Sequence, residues 1–469
     1  MSSTTFEVPT ISLSNRLDVT YYLVRAEVDR HFSPNMGTPL SDLCTRIRTK
    51  TPAREAYVEE GVPCLKLRNI TGRVLNITNC DFIPERLKPR FVTVKKYDII
   101  ITATGEGTAG RTDIFLETGN YVVTGENILL RPNLALINPF YLLSMLRTNL
   151  IAKQLTHFVR GATGQTHLYW QDIADIRIPK ANSKVQEYCE VIFREAWKKR
   201  RLAAEKITDA KVAVLKAAGV SKLDVKQRHI VFETTFDYVR PSLRFDVEYY
   251  QPIHYTLQTA LEKAKCIKAN TVAKRNKTTI NPRKSPTNIY RYVDISSIDT
   301  EIGDYNVTTM YGHEAPTRAR RRAKKGDLIV STVRPNRNAV ALIADEPDGL
   351  VVSTGFAVIT PTSINPLVLF AFLKTEPIYA QIVRQATAAM YPAVKEEDVL
   401  DILIPRLDNN QSEYIKKSIL KSIALLKQAD EYLRKFTGQG ESILQKKCDR
   451  FRNINSRNAT PVSKRGKGT

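Results

Sequence analysis

The chain has 469 residues, of which 42% are hydrophobic and 25% are charged, a balance typical of folded proteins that argues against disorder throughout. Lysine and arginine number 71 against 48 aspartates and glutamates. The resulting net charge of +23 favours a polyanionic partner such as nucleic acid or an acidic membrane surface.

The sequence predicts neither a secretion signal nor a membrane span. Residues 1–9 lack the basic and apolar regions of a signal peptide. The longest uncharged stretch, 350–373, contains polar residues and two prolines, so a strand, a turn and a helix fit it better than one spanning helix. The six cysteines are scattered without a close pair for zinc or redox chemistry, which favours a reducing cytoplasm.

An internal repeat is the most informative feature of the chain. The heptapeptide RLDVTYY at 16–22 returns as RFDVEYY at 244–250. Ordered matches at a nearly constant offset indicate a duplicated domain. They pair KKYDII at 95–100 with KKGDLI at 324–329, Asn138-Pro139 with Asn365-Pro366, and IRIP at 176–179 with ILIP at 402–405.

The two copies share one order of predicted elements. Short β-rich runs include 97–102 and 327–331. Asn138 and Asn365 suit the N-cap of a helix, because each is followed by a proline that suits the first helical position. An Ile-x-Ile-Pro strand then closes the globular part of each copy.

A long amphipathic helix, of roughly 25–35 residues, is predicted after each of these strands. The matching places of the two helices favour their pairing as a coiled coil, while packing of each helix on its own domain is the alternative. The residues expected at the pairing surface are Ile192, Ile207, Val214, Ile415, Ile419, Ile423, Leu426 and Leu433.

The expected fold class is α+β, with two duplicated mixed α/β domains joined by two long antiparallel coiled-coil helices in a pseudo-two-fold arrangement. The globular domains are expected at 1–180 and 220–406, and the spacer helices at 181–219 and 407–447. Residues 448–469 are basic and lack apolar periodicity, so a disordered tail is expected there.

Two patterns suggest catalysis but fit other roles better. Residues 105–110 match the GxGxxG pattern of dinucleotide sites, yet a strand is predicted next, not the helix that would hold the pyrophosphate. The sequence NPFY at 138–141 lacks the second proline of the NPPY motif of amino-methyltransferases, and its repeat at 365–368 lacks the aromatic residue. A loop and a helix cap are favoured, and no catalytic or metal-binding cluster is convincing.

Basic residues cluster at equivalent places in the two copies, which favours nucleic-acid contact over a merely solvated face. Guanidinium groups brace phosphates and read guanine, and Arg334, Arg337 and Asn338 on an expected loop are candidates for base reading. The candidate DNA-binding residues are Arg86, Lys88, Arg90, Arg111, Gln165, Arg318, Arg320, Arg321, Arg322, Lys324, Arg334, Arg337 and Asn338.

With these motifs, about residues 14–440 resemble the DNA-specificity (S) subunit of type I restriction-modification systems. The resemblance rests on the repeated Arg-x-Asp-x-x-Tyr-Tyr, on the Asp-Ile-Ile at 98–100 with its glycine loop, on GATGQ at 161–165, and on Ile-x-Ile-Pro followed by Gln186 or Gln411. The second copy departs from it, because ATAAMYP stands where the first has the glycine-glutamine loop.

This resemblance implies two target-recognition domains that each read half of a split, asymmetric DNA target, with the paired helices as the spacer. It implies no active site in this chain, which would dock two methyltransferase (modification) subunits and, in the nuclease form, restriction (helicase-nuclease) subunits. S-adenosylmethionine, and ATP with magnesium, would belong to those subunits in a prokaryotic cytoplasm. A stand-alone two-domain nucleic-acid-binding protein and a DNA amino-methyltransferase are the alternatives.

Overall fold

The computed structural model describes residues 19–31, 37–78, 80–105, 108–161, 166–240, 244–344, 349–387 and 392–458. The chain forms two compact units. Unit 1 comprises Met1–Lys198 with Gln428–Thr469, and unit 2 comprises Lys199–Lys427. The structure is mixed α/β with open sheets, which confirms that part of the predicted fold class.

Unit 1 combines two larger sheets and one two-stranded sheet with mostly short helices. Its elements are α1 (Val19–His31), β1 (Thr38–Pro39), α2 (Leu40–Leu43), β2 (Cys44–Ile47), β3 (Val62–Leu65), β4 (Asp81–Ile83), β5 (Ile99–Thr102), β6 (Thr112–Ile114), β7 (Val122–Val123), β8 (Asn127–Pro132), α3 (Pro139–Leu146), α4 (Asn149–His157), α5 (Trp170–Ile173), β9 (Arg177–Ile178) and the first part of α6 (Ser183–Ala217). One sheet is antiparallel with the order β2-β8-β5-β6, and the other has the order β4-β3-β7 with β3 and β7 parallel.

Strand β5 is the centre of unit 1 and is buried on both faces. Ile99 and Ile101 belong to the same core as Phe140 of α3, whereas Ile100 belongs to the same core as Leu65 of the second sheet. Successive side chains of a strand point to opposite faces, so β5 joins a helix-facing core to a sheet-facing core. This double burial accounts for the uninterrupted apolar run that predicts the strand.

Unit 2 repeats this order of elements. They are α7 (Phe236–Val239), α8 (Pro252–Lys263), β10 (Ile267–Lys268), β11 (Ala273–Arg275), β12 (Ile289–Val293), β13 (Thr308–Tyr311), β14 (Ala319–Ala323), β15 (Leu328–Ser331), β16 (Val340–Leu342), β17 (Leu350–Ser353), β18 (Phe356–Pro361), α9 (Pro366–Lys374), α10 (Glu376–Arg384), β19 (Leu403–Ile404) and the first part of α11 (Asn409–Asn458). The sheet orders are β11-β18-β15-β16 and β13-β12-β17-β14. Each corresponds to a sheet of unit 1, with β14 added at one edge.

The predicted strand starts and helix caps are confirmed in both units. Strands β5 and β15 lie within the predicted β-rich runs. Asn138 accepts a hydrogen bond from the Phe140 amide at 2.9 Å, and Asn365 accepts one from the Leu367 amide at 2.9 Å. Each cap precedes a proline in the first turn. The side-chain oxygen thus satisfies a backbone N–H that the helix itself leaves unpaired.

The long helices pack both on each other and on the globular core of each unit. In unit 1, the rings of Phe193 on α6 and Phe436 on α11 lie 5.1 Å apart within the α3 core. In unit 2, the Ser422 hydroxyl donates to the Ala203 carbonyl at 3.0 Å. Of the residues predicted at the pairing surface, six are buried, and Ile423 and Leu433 are half-buried.

Helix α11 has 50 residues and ends at Asn458. The predicted disordered tail from 448 is therefore wrong for 448–458, whereas 459–469 lie outside the described residues. Extending a formed helix needs no new nucleation, and Arg450, Arg452 and Arg457 of this segment are good helix formers. Apolar periodicity is thus not required for the helix to continue.

The uncharged stretch 350–373 forms β17, β18 and most of α9, close to the predicted strand, turn and helix. Among the described residues, no single helix is long and apolar enough to cross a membrane. Only the bent pair α9 and α10 reaches the length and hydropathy of a span when the two helices are taken together.

Candidate nucleic-acid interface

Two loops meet beside the central strand of unit 1. Thr104, just after β5, forms a β-bridge with His167, which also bridges Arg160. The turn that follows β5 is closed by a 2.8 Å hydrogen bond from the Gly110 amide to the Thr102 carbonyl. These contacts hold the loop that ends at Arg111 beside Arg160 and His167.

The same two loops meet in unit 2. Val333, just after β15, bridges Ala393, which also bridges Thr387. The Arg334 amide donates to the Pro392 carbonyl at 2.7 Å. Each unit therefore brings together one loop after its central strand and one loop before its closing strand, although the loops differ in sequence.

The glycine loop of unit 1 is followed by strand β6, so the predicted hairpin is confirmed and the helix of a dinucleotide site does not form. Gly105 and Gly110 have φ of 95° and 88°, a region that glycine enters without steric cost. Arg111 is half-buried at the end of this loop. Gln165 lies outside the described residues, as do 106–107 and 388–391.

The loop of unit 2 also contains two residues with positive φ, although neither of them is glycine. Arg334 and Asn338 flank the short 3-10 helix Pro335–Arg337, and both have φ of 50°. Such left-handed residues cost about 1–3 kcal/mol unless surrounding contacts hold them. The Asn338 amide nitrogen donates to the Leu373 carbonyl at 3.2 Å, so this side chain is engaged with α9. Arg337 is exposed and Arg334 is half-buried.

The arginine run of unit 2 does not merely precede a strand, as the sequence predicts, but forms strand β14 itself. β14 is an edge strand that pairs with β17. A run of three arginines carries no apolar alternation, so its pattern gives no strand signal. Pairing with the apolar β17 supplies the backbone partners instead.

The basic residues around β14 differ in their surroundings. Arg321 is paired with Glu396, which neutralises its charge. Arg320 is half-buried, and its Nε donates to the Thr317 carbonyl at 3.1 Å. The exposed cations of this run are Arg318, Arg322, Lys324 and Lys325.

The corresponding cluster of unit 1 lies on the 3-10 helix Glu85–Arg90. Arg86 and Arg90 are exposed there, and Lys88 is half-buried. After this helix, Thr93 forms a β-bridge with Val122 of β7. Strand β7 corresponds to β17 of unit 2, and β17 pairs with β14. The two basic clusters thus lie next to equivalent strands of the two units.

Replacing Arg322 and Lys324 with alanine is expected to weaken binding to specific and random DNA alike, because exposed cations neutralise phosphates. Each lost phosphate contact should make the slope of log K against log salt shallower by about 0.9, as measured by fluorescence anisotropy over a salt series. Arg321→Ala is the matched control, since Glu396 already neutralises Arg321. An unchanged slope in the double variant would identify this run as a solvated face.

The repeated aspartates have a structural role in both units. Asp98 is buried at the start of β5, where it accepts from the Lys95 amide at 2.8 Å and from Arg131 Nη2 at 2.7 Å. Asp327 accepts from the Lys324 amide at 3.0 Å. Each carboxylate closes the turn before its strand.

The aromatic residues of the Asn-Pro-Phe-Tyr segment are committed to the core. Tyr141 is buried, and its hydroxyl donates to the Pro179 carbonyl at 2.6 Å. Burial raises the pKa of Tyr141 above its ordinary value. Phe140 is also buried. These rings face the core, as expected for a helix start and not for a pocket that holds an extruded base.

Gln186 of the repeated motif joins two helices in unit 1, since its Oε1 accepts the Asn138 amide at 2.8 Å. Its counterpart Gln411 instead forms a reciprocal cap with Asp408 at the start of α11. Among the described residues, no group of three or more histidine, cysteine, aspartate or glutamate side chains could hold a metal ion.

No protein-family model matches the chain. A stretch of 104 residues is 28% identical to the HindI type I restriction enzyme specificity subunit of Haemophilus influenzae; it covers 21% of this chain and 23% of that protein. The chain thus matches less than two thirds of this curated relative's length. The HsdS subunit of Thermoanaerobacter tengcongensis is 28% identical, with 43% of this chain and 50% of that chain covered and a TM-score of 0.30.

The type I restriction-modification S subunit of M. genitalium is 11% identical, with 89% of this chain and 97% of that chain covered and a TM-score of 0.36. The Haemophilus influenzae protein is a type I restriction enzyme specificity subunit by description. The resemblance predicted from the motifs is therefore confirmed as a sequence similarity to that class over these 104 residues.

Proposed function

We propose that this chain is the DNA-specificity subunit of a type I restriction-modification complex, which reads a bipartite, asymmetric DNA target and docks methyltransferase subunits. The observation that carries the proposal is the paired loop arrangement, present in both units beside equivalent strands. Because the loops and basic clusters differ in sequence between the units, each unit would read a different half-site.

The two long helices would act as the spacer that sets the gap between half-sites. Phe193 of α6 meets Phe436 of α11 in unit 1, and Ala203 meets Ser422 in unit 2. The residue number rises along α6 as it falls along α11, which supports an antiparallel pair. In dimeric DNA-binding proteins, a fixed protein framework likewise sets the distance between half-sites.

In this proposal the chain has no active site of its own. Two methyltransferase subunits would supply S-adenosylmethionine chemistry, and restriction subunits with ATP and magnesium would complete the nuclease form. The setting would be the cytoplasm of a prokaryote. The commitment of Tyr141 and Phe140 to the core supports this division of labour over a methyltransferase within the chain.

Reconstitution tests the proposal. The purified chain is expected to transfer no labelled methyl group from S-adenosylmethionine to DNA, and sequence-specific transfer should begin when the methyltransferase subunit encoded beside it is added. The methyltransferase subunit alone is the matched control and should show no sequence-specific transfer. Methyl transfer by the chain alone, or an unchanged target when the chain is left out, would contradict the proposal.

A further inference from the structure

A buried cation stands at the end of the capped helix in each unit. Arg147 follows α3, and Lys374 is the last residue of α9, at the same distance from the Asn-Pro helix start. Lys374 is 3% exposed, and the side chain of Arg147 is 10% exposed. Neither residue belongs to the basic clusters described above. Because desolvating a charge costs several kcal/mol, a charged residue at such a position is expected to have a specific role.

Arg147 joins the end of the glycine loop to a neighbouring turn. Its Nη2 donates to the Thr112 carbonyl at 2.6 Å, directly after Arg111, and its Nη1 donates to the Arg73 carbonyl at 3.0 Å. Its Nη2 also lies 2.6 Å from an oxygen of Asp113. One guanidinium group thereby fixes the first residues of β6 and the 71–73 turn in a single geometry.

Lys374 makes the corresponding link in unit 2. Its Nζ donates to the Thr300 carbonyl and to the Asn338 carbonyl, the latter at 3.3 Å. Asn338 takes the left-handed conformation of Gly110, and each lies two residues before its strand. The two units therefore place a buried cation on the same pair of backbone segments, although one uses arginine and the other uses lysine.

In each unit, the turn held by the cation is itself paired with a long helix. Arg73 lies 3.6 Å from a carboxylate oxygen of Asp430 on α11 in unit 1. In unit 2, Arg200 on α6 pairs with Asp299 at 3.0 Å and with Asp304 at 2.9 Å. A continuous set of polar contacts thus leads from helix to turn, from turn to cation, and from cation to the start of the next strand.

We propose that Arg147 and Lys374 are positioning residues for DNA reading, which fix the bases of the loops 103–111 and 333–338 to the long-helix segments of the same unit. This inference rests on the proposed function. An apolar side chain could fill either position without a desolvation cost, whereas a cation with several carbonyl partners sets direction as well as distance. Base reading needs such fixed geometry, because bidentate contacts discriminate only when donors and acceptors align.

Burial disfavours the charged form of both side chains. Burial lowers the pKa of Lys374 to about 7, and Lys211 adds to the lowering while Asp299 and Glu301 oppose it. Burial also lowers the pKa of Arg147, which Asp113 opposes. Both cations are therefore held in place at an electrostatic cost that simple packing would avoid.

The test uses the full chain, a random-sequence DNA library and a Lys374→Met variant, which keeps the apolar stem but loses the donor. Discrimination at one half-site is expected to fall by about 5- to 150-fold, the value of one lost bidentate contact. Discrimination at the other half-site and the salt slope should stay unchanged, since the exposed cations remain. Arg147→Met should affect the opposite half-site.

Arg384→Met is the matched control in unit 2. Arg384 also donates to a backbone carbonyl, that of Tyr249 at 3.1 Å, but this contact does not involve the 333–338 loop. Its loss should leave both half-site preferences intact at equal folded fraction. Equal effects of Lys374→Met and Arg384→Met, or equal loss at both half-sites, would overturn the positioning role.

Hydrogen exchange without DNA separates this inference from the proposed function. In Lys374→Met, amides of 333–338 should exchange faster while those of 108–111 do not change. If the wild-type chain has no sequence preference, the proposed function fails, and unchanged exchange in the variant would overturn the positioning role independently. Should Lys374→Met not fold, Arg147→Met tests the same role in unit 1, where the amides of 108–111 should exchange faster while those of 333–338 do not change.

Discussion

Replacing Phe436 with alanine is expected to lower the free energy of unfolding by about 3–5 kcal/mol, the usual cost of removing a buried aromatic ring. Phe436 is fully buried on α11, with the Phe193 ring 5.1 Å away. Its carbonyl accepts a 2.9 Å hydrogen bond from the Ser144 hydroxyl. Removal of the ring leaves a cavity where both long helices meet the core of unit 1.

Urea unfolding of the full chain, followed by circular dichroism, measures this loss. Leu420→Ala is the matched control, because Leu420 lies on the same helix and is 54% exposed. Exposed substitutions usually change stability by no more than about 0.5 kcal/mol. A comparable loss in the two variants would contradict the burial of α11 against unit 1.

Lengthening both long helices is expected to change the gap between the DNA half-sites. Four residues inserted after Lys198 in α6 and four after Lys427 in α11 fall at the limits of the two units. Each insertion adds one helical turn, about 6 Å at 1.5 Å per residue. At about 3.4 Å per base pair, the preferred gap should grow by one to two base pairs.

The half-site sequences should persist in the lengthened chain, because neither reading loop is altered. Selection from a DNA library with randomised gap length gives the preferred gap, and the same insertion after Gly438, inside unit 1, is a control for general damage to α11. A folded, lengthened variant with the original gap would contradict the role of the helices as a spacer.

Local patterns predict much of this fold. The Asn-Pro pairs predict helix starts because an amide side chain and a proline act within one turn. The apolar runs at 99–102 and 328–331 predict central strands because both faces of each strand are covered. These elements are present as predicted, and the repeat along the sequence also places them in the same order in both units.

Other features depend on contacts between distant segments and leave no local pattern. β14 is a strand because β17 offers it backbone partners, although its arginines suggest a charged loop. From the sequence alone, Arg147 and Lys374 would be interpreted as surface charges at the ends of apolar helices, yet segments far away in the sequence cover both. A comparison of the two repeats could have identified these two residues, because a cation stands at the same distance after each Asn-Pro pair.

The sequence predicts candidate residues for the interface but not the surroundings of each side chain. Composition identifies basic residues, whereas their partners are set by the fold, as the pairing of Arg321 with Glu396 shows. Asn338 likewise suits base reading by residue type, but its amide is engaged with the backbone of α9. Arg322 and Arg337 are exposed and remain candidates.

The central claim is that one chain reads two unlike DNA half-sites at a fixed distance. Sequencing of DNA selected from a fully random library by the full chain with its methyltransferase subunits tests this claim most directly. The account predicts two different short motifs separated by an unspecified gap of constant length. A single uninterrupted motif, two identical half-sites, or a gap that varies freely in length would contradict it.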